Sequence, residues 1–177
     1  RTLEEVPVDG KRIMTSREAL AMKEMPASIA ILGAGAIGAE FAYFLNAFGC
    51  KVTLIEMLPK ILPVEDAEIS RALATAFDKQ GIICRVNTRV DEIEVVEDGV
   101  SLTLNGEKGE ESIMVDSVLL AIGVVPNLQG VFSDKCKVEL DRGYIKVDEN
   151  YQTSLPQVFA TGDVVGPPWL AHVATFR

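Results

Sequence analysis

The chain has 177 residues, 48% hydrophobic and 24% charged, a balance typical of one globular domain of ordinary size. Its 17 basic and 26 acidic residues give a net charge of −9, which argues against nucleic acid as a partner because phosphates attract clustered lysine and arginine. No apolar run reaches the roughly 20 residues of a membrane-spanning helix, and no long basic run suggests a membrane-surface patch. Enzymes and binding modules for small molecules are therefore the classes left to weigh.

The cysteines give little sign of a disulfide framework or a metal site. Cys50, Cys84 and Cys136 are the three cysteines, widely spaced, and His172 is the single histidine. Such spacing suits reduced thiols, so we expect a cytoplasmic protein, and the lack of a Cys/His cluster in the sequence leads us to expect no metal ligands. The sequence begins without Met and without a signal-peptide pattern, from which we expect a piece of a longer polypeptide.

The first 27 residues have the pattern of a connector. Val6–Gly10 is rich in turn formers, and Thr15 or Ser16 is placed to begin a short helix over residues 17–25. We therefore expect the folded domain itself to begin near residue 28.

From residue 28 onward, short apolar runs alternate with amphipathic segments. The run at residues 28–32 predicts a buried strand of a parallel sheet, and the runs at residues 51–56 and 82–86 predict a second and a third strand. A helix is predicted between the first two runs by apolar residues at helical spacing, namely Ile37, Phe41, Phe44, Leu45 and Phe48. A second helix is predicted to begin near Glu65 and to end at Gly81. This order predicts an α/β fold with a Rossmann-like, doubly wound parallel sheet.

The pattern changes between residues 93 and 115. Apolar residues there alternate with polar ones on either side of Glu97-Asp98-Gly99, and Asn105-Gly106 gives a second turn signal. We predict an antiparallel β-meander, inserted where a further crossover helix would otherwise stand. Another buried strand is predicted at residues 118–123.

The central motif is Gly33-Ala34-Gly35-Ala36-Ile37-Gly38, a G-x-G-x-x-G that follows a strand and opens a helix. Gly33 allows a sharp turn, Gly35 leaves room for a pyrophosphate against bare backbone, and Gly38 lets the helix pack close to the strand. The N–H groups of the first helical turn would then face the phosphates. The alternatives are a tight turn without a ligand and the similar glycine loop of a methyltransferase.

An acidic residue completes the dinucleotide pattern. Glu56 ends the second strand, 18 positions after Gly38, close to the expected separation of about 20. Its carboxylate could accept hydrogen bonds from both ribose hydroxyls but would repel a 2′-phosphate, and no arginine lies in residues 57–60 to bind that phosphate. The sequence therefore predicts NAD(H) as the cofactor. The alternative is a solvated acid at the end of a strand.

Four segments in this order resemble the flavoprotein disulfide reductases, the family of pyridine nucleotide-disulfide oxidoreductases. They are Ile31–Phe41, Gly49–Glu56, Leu120–Gly123 followed by Pro126-Asn127, and Val158–Asp163. The resemblance extends over essentially the whole chain from Arg1, and four motifs in order are more specific than one. Within the family, Thr15–Leu20 and Leu170–His172 are most similar to the dihydrolipoyl dehydrogenases.

The resemblance implies a role for each matching position. The glycine loop would hold the pyrophosphate of NAD, and Glu56 would bind its ribose. Further contacts are implied near the nicotinamide end for Glu40, near adenine for Val90, beside the cofactor for Ala121, Ile122 and Gly123, and at FAD for Asp163 and Ala171.

The resemblance also implies three parts of the chain. Residues 1–27 would be a connector from a preceding FAD-binding segment, residues 28–125 the NAD-binding domain, and residues 126–177 a return segment that includes the second FAD-contact motif. In the intact protein, dihydrolipoyl groups would be oxidised through a protein disulfide and FAD, with NAD as the acceptor. The implied partners are a second subunit of a homodimer and the lipoyl domains of 2-oxo acid dehydrogenase complexes.

Two features depart from the family pattern. Val124 stands where these reductases often have arginine, and the sequence contains neither a Cys-x-x-x-x-Cys redox pair nor an earlier glycine loop for FAD. We name no catalytic residue, because His172 fits a structural or flavin-adjacent position better than that of the catalytic base. We therefore expect the chain alone to be inactive.

Two other hypotheses stay open. One is a different reductase of the family, such as a mercuric reductase or an NADH oxidase, which sequence outside this window would distinguish. The other is a self-sufficient NAD-binding module without a redox role. Such a module would bind NAD tightly and would leave no stranded apolar surface around Phe159 and Trp169.

Overall fold

The computed structural model describes residues 6–107, 109–133 and 136–176, which fall into two compact units divided after Gly123. The elements of the first unit are, in chain order, β1 (Ile13–Thr15), α1 (Ser16–Leu20), β2 (Ser28–Leu32), α2 (Ala36–Ala47), β3 (Lys51–Ile55), α3 (Ala67–Lys79), β4 (Ile83–Arg85), β5 (Arg89–Val96), β6 (Gly99–Gly106), β7 (Gly109–Val115) and β8 (Ser117–Leu120). Residues 1–5, where the predicted connector begins, lie outside the described part of the chain.

A five-stranded sheet forms the centre of the first unit. Its strand order is β1-β8-β2-β3-β4, and every neighbouring pair is parallel. Strands β2, β3 and β8 carry short apolar runs because they are covered on both faces. The predicted α/β class with a Rossmann-like parallel sheet and an inserted meander is confirmed.

One face of the sheet packs against the helices. Ile29 and Ile31 of β2 and Leu54 of β3 are fully buried there, together with Leu45 of α2 and Phe77 of α3. Of the five apolar residues that predicted α2, Phe44 on the helix and Phe48 at its C-cap are instead exposed, with ring centroids 5.0 Å apart. The buried face of α2 is therefore narrower than the spacing of these five apolar residues indicated.

The other face packs against the antiparallel meander β5-β6-β7. Leu102 and Leu104 of β6 are fully buried in one cluster with Leu32 of β2 and Leu120 of β8. The meander thus covers the surface where a doubly wound fold otherwise places helices. The unit consequently has three layers, helices, parallel sheet and meander.

The segment that the sequence indicated as a connector contributes a strand and a short helix to this unit. Strand β1 pairs with β8 at the edge of the parallel sheet. Thr15 caps α1, and Glu18 completes the capping box by accepting from the Thr15 N–H at 2.9 Å. The helix ends at Leu20, five residues earlier than predicted. The sequence pattern gave no sign of β1, because three residues are too few to establish a period.

Arg12, just before β1, ties this segment to the meander. Its guanidinium donates to the carbonyls of Val96, Glu97 (2.6 Å) and Gly99 (2.7 Å) in the β5–β6 turn. One side chain therefore satisfies several carbonyls of that turn.

The second unit has little regular structure. Strands β9 (Leu140–Asp141) and β10 (Tyr144–Ile145) form a hairpin around Arg142-Gly143, followed by a 3₁₀ turn (Asp163–Val165) and α4 (Ala171–Phe176). Its buried apolar residues include Val138 and Ile145, whereas Phe159 and Trp169 are 61% and 44% exposed. No helix in the described residues has the length and apolar character to cross a membrane.

We predict that Leu102→Ala lowers the free energy of unfolding by about 2–5 kcal/mol, because it opens a cavity between the meander and the sheet. Met114→Ala is the matched control, since Met114 lies on β7 of the same meander but is 57% exposed. Urea unfolding of both variants measures the difference. A loss of similar size in both would contradict a core between these layers.

Candidate functional site

The candidate site lies at the edge of the sheet where strands β2, β3 and β8 have their carboxyl ends. Because the strands are parallel, the segments that follow them meet there. The N–H of Gly33 donates to the Ile55 carbonyl at 2.8 Å, and the N–H of Ala121 donates to the Leu32 carbonyl at 2.8 Å. The glycine loop, the acid after β3 and the segment after β8 are thereby brought together.

Two glycines of the loop are required by close backbone contacts. Gly33 has φ +97°, and a Cβ added there would lie 2.4 Å from the carbonyl oxygen of Ala121. A Cβ on Gly38 would lie 1.9 Å from the carbonyl oxygen of Gly33. Both distances are far below van der Waals contact, so α2 can approach the β2 strand end only with glycine at these positions.

Gly35 is different, because nothing in the described part of the chain demands a glycine there. Its φ of −70° and ψ of −174° are open to any residue, and an added Cβ would meet no atom of the described residues within 4 Å. Gly35 is also the N-cap of α2, where it supplies no side chain to accept from the first helical turn. The bare backbone and the N–H groups of Ala36 and Ile37 at the helix start form a surface suited to an anion.

The carboxylate of Glu56 joins the acid and the loop directly. The Glu56 side chain is buried, with only 9% of the residue exposed. Its Oε2 accepts from the Ala34 N–H at 2.8 Å and its Oε1 accepts from the Leu58 N–H at 3.0 Å. A carboxylate has about four acceptor positions, so these two bonds leave capacity for two hydroxyl donors. This second role of Glu56 was missed from the sequence. No local pattern indicated it, because the burial of Glu56 results from the packing of the sheet edge.

The other predicted contact residues are spread over several elements. Glu40 is exposed on α2 one turn beyond the loop, while Ala121 and Ile122 are half-buried and Gly123 is exposed just after β8. Val90 is half-buried in β5, two residues after Thr88, whose N–H donates to the Glu56 carbonyl at 3.0 Å. These residues all belong to the first unit.

The predicted FAD contacts belong to the second unit. Asp163 is exposed and begins the 3₁₀ turn after Gly162, which has φ +82°. Ala171 is exposed at the first position of α4, and His172 follows it.

The thiols of the chain do not form a reactive pair. Cys50 is buried, and burial raises its pKa to about 11, while burial also raises the pKa of the half-buried Cys84. Both therefore stay protonated at neutral pH, whereas disulfide exchange requires a nucleophilic thiolate. Cys136, in the second unit, is exposed.

A parallel sheet with a glycine loop and a buried acid at one edge is the arrangement of a Rossmann-like α/β domain. The family model for pyridine nucleotide-disulphide oxidoreductases matches residues 3–177. The chain belongs to this family.

Curated relatives and solved structures agree with that assignment. The chain is 43% identical to a dihydrolipoyl dehydrogenase of Chlorobaculum tepidum over 94% of its length and 40% identical to one of Zymomonas mobilis over 100%. It spans only 36% and 38% of those two relatives.

Among solved structures, LpdA from Mycobacterium tuberculosis matches with a TM-score of 0.88 at 30% identity, over 99% of this chain and 38% of that one. The HOCl-induced flavoprotein disulfide reductase RclA from Escherichia coli matches with a TM-score of 0.84 at 28% identity, over 98% of this chain and 40% of that one. The predicted resemblance to dihydrolipoyl dehydrogenases is confirmed.

We predict that alanine at Gly38 and alanine at Gly35 differ in their effect on stability. Gly38→Ala should lower the free energy of unfolding by at least about 2 kcal/mol, because its Cβ overlaps the Gly33 carbonyl. Gly35→Ala should change that free energy by less than about 1 kcal/mol, because its Cβ meets open space and only the cap preference is lost. Thermal or urea unfolding separates the two variants. Equal losses would show that the loop packs differently.

The thiols predict a contrast in reactivity. At pH 8 a chromogenic disulfide reagent should react rapidly with Cys136 and slowly with Cys50 and Cys84, because burial keeps the latter two protonated and inaccessible. In denaturant all three should react rapidly. Cys136→Ser is the control and should abolish the rapid phase. A second rapid thiol in the folded protein would contradict the burial of Cys50 or Cys84.

Proposed function

We propose that this chain is the NAD(H)-binding part of a flavin-dependent dihydrolipoyl dehydrogenase. The proposal rests on the hydrogen bond from the Ala34 N–H to the buried Glu56 carboxylate. This bond joins a glycine loop suited to a pyrophosphate to an acidic residue suited to ribose hydroxyls. In this arrangement the glycine loop and the start of α2 bind the pyrophosphate, with the helix dipole behind them.

Glu56 selects NAD(H) over NADP(H). Two of its acceptor positions are used by Ala34 and Leu58, and the remaining two accept the adenosine ribose hydroxyls. A 2′-phosphate would bring negative charge against a buried carboxylate. Lys60, the cation nearest along the chain, donates instead to the carbonyl of Glu65.

The remaining roles extend this proposal. Glu40 lies toward the nicotinamide, Val90 toward the adenine, and Ala121, Ile122 and Gly123 line the cofactor. Asp163 and Ala171 contact FAD in the intact protein. When bound, FAD would carry electrons from the reduced, dithiol form of a protein disulfide to NAD, whereas this chain would supply orientation and electrostatics.

The intact protein, a cytoplasmic homodimer in this proposal, oxidises dihydrolipoyl groups of 2-oxo acid dehydrogenase complexes. This chain by itself is inactive in this proposal, since its three cysteines are widely spaced and its sequence contains no Cys-x-x-x-x-Cys redox pair. The exposed Phe159 and Trp169 favour a part of a larger protein over a self-sufficient NAD-binding module.

A second candidate is another disulfide reductase of the family. The structural similarity to RclA, described as a flavoprotein disulfide reductase, supports it. The dihydrolipoyl dehydrogenases among the curated relatives, at up to 43% identity, favour the first candidate.

We predict that calorimetric titration gives at least about tenfold tighter binding of NADH than of NADPH, because the Glu56 carboxylate repels the 2′-phosphate. Glu56→Gln should narrow this ratio, and Gly35→Ala should weaken NADH binding at least about tenfold by placing a methyl group in the pyrophosphate space.

Glu94→Gln is the control for the first variant, since it removes the same charge from an exposed position on β5. It should leave the NADH-to-NADPH ratio unchanged. No binding of NADH by the wild-type chain, or equal binding by Gly35→Ala, would overturn the assignment of the loop.

A further inference from the structure

Leu62, like Glu56, hydrogen-bonds to the backbone of the glycine loop. It lies in the β3–α3 connection, and its N–H donates to the Ala34 carbonyl at 2.7 Å. Ala34 is fully buried and therefore has both of its backbone groups bonded, the N–H to Glu56 and the carbonyl to Leu62. The peptide groups on either side of Ala34 are thus fixed by separate partners.

The backbone conformation of Leu62 is unusual for a branched side chain. Its φ of +47° lies in the left-handed region, which non-glycine residues seldom occupy. Such a conformation persists only where the surroundings impose it, and it occurs preferentially at ligand-binding and active sites.

The surroundings of Leu62 explain how the conformation is held. Its carbonyl accepts from the Glu65 N–H at 3.0 Å and from the hydroxyl of Ser70 at 3.2 Å. Ser70 is 2% exposed, and its hydroxyl also lies 3.1 Å from the Asp66 carbonyl at the start of α3. The first turn of α3 therefore anchors Leu62, and Leu62 in turn anchors Ala34.

The bond from Leu62 to Ala34 also affects the next N–H along the loop, that of Gly35. The Ala34 carbonyl and the Gly35 N–H belong to one peptide group, which is planar and trans, so the two point in opposite directions. By bonding the carbonyl, Leu62 sets the direction of the Gly35 N–H and opposes a flip of this peptide. Gly35 is the N-cap beside the open space described above.

We propose that Leu62 is a positioning residue that presents the Gly35 N–H to the pyrophosphate of the cofactor, with Ser70 as its support. This inference rests on the proposed function for its ligand. The orientation of the Ala34–Gly35 peptide does not, because it is a property of the ligand-free chain. Leu62 itself makes no contact with the cofactor in this proposal.

The test uses Leu62→Pro, which lacks the N–H and cannot adopt a positive φ. NADH binding should weaken about tenfold, and the Gly35 amide resonance of the ligand-free chain should shift or broaden. Leu62→Gly keeps the N–H and occupies the left-handed region without strain. Its NADH affinity and its Gly35 amide resonance should therefore match those of the wild-type chain. If NADH binding depended on the Leu62 side chain and not on its backbone, Leu62→Gly would also weaken it.

Ser70→Ala provides a second test in case Leu62→Pro does not fold. The Leu62 and Asp66 carbonyls keep their other donors, so this variant should fold and weaken NADH binding by about two- to fivefold. Thr75→Ala is the matched control, since the Thr75 hydroxyl bonds the Arg71 carbonyl at 2.9 Å on the same helix. It should change neither readout.

The outcomes separate this inference from the proposed function. Wild-type affinity and an unmoved Gly35 resonance in Ser70→Ala and in folded Leu62→Pro would overturn the role of Leu62. Failure of the wild-type chain to bind NADH would overturn the proposed ligand. In that case the Gly35 resonance of the variants still decides whether Leu62 orients the peptide.

Discussion

Parallel pairing of β2 with β3 and β8 is the constraint on which the rest of the structure depends. It places the ends of three strands at one edge, so that short segments distant in sequence become neighbours. The hydrogen bond between the Ala34 N–H and the Glu56 carboxylate is a direct consequence, because the two residues follow adjacent strands. Pyrophosphate and ribose recognition are therefore physically linked through one buried carboxylate in the proposed site.

The glycine loop combines two kinds of glycine. Gly33 and Gly38 are fixed by contacts within the chain, since an added Cβ would overlap backbone atoms. Gly35 has no such restriction, so its bare backbone is explained by something outside the fold, in our proposal the cofactor. Stability and binding thus depend on different members of one short motif, which is why substitutions within it separate the two properties.

The architecture could be predicted from the sequence, and so could the glycine loop and the acid that meet in the candidate site. Apolar runs, alternation and glycine turns are local patterns, and they indicated the parallel strands, the helices α2 and α3 and the meander correctly. The short strand β1 and the exposure of Phe44 and Phe48 could not be predicted. Strand β1 is identified by its pairing with β8, and helical spacing alone does not say which side of a helix is covered.

The sequence by itself determined the family, the strand order along the chain and the residue types suited to a dinucleotide, since motifs and periodicity are properties of neighbouring residues. Only the tertiary structure decided that Glu56 is buried and bonded to Ala34 and Leu58, and that Leu62 holds the Ala34 carbonyl from a left-handed conformation. The two bonds of Ala34, to Glu56 and to Leu62, join the segments that follow β2 and β3. Their partners are chosen by the packing of the sheet edge, and no local pattern records that packing.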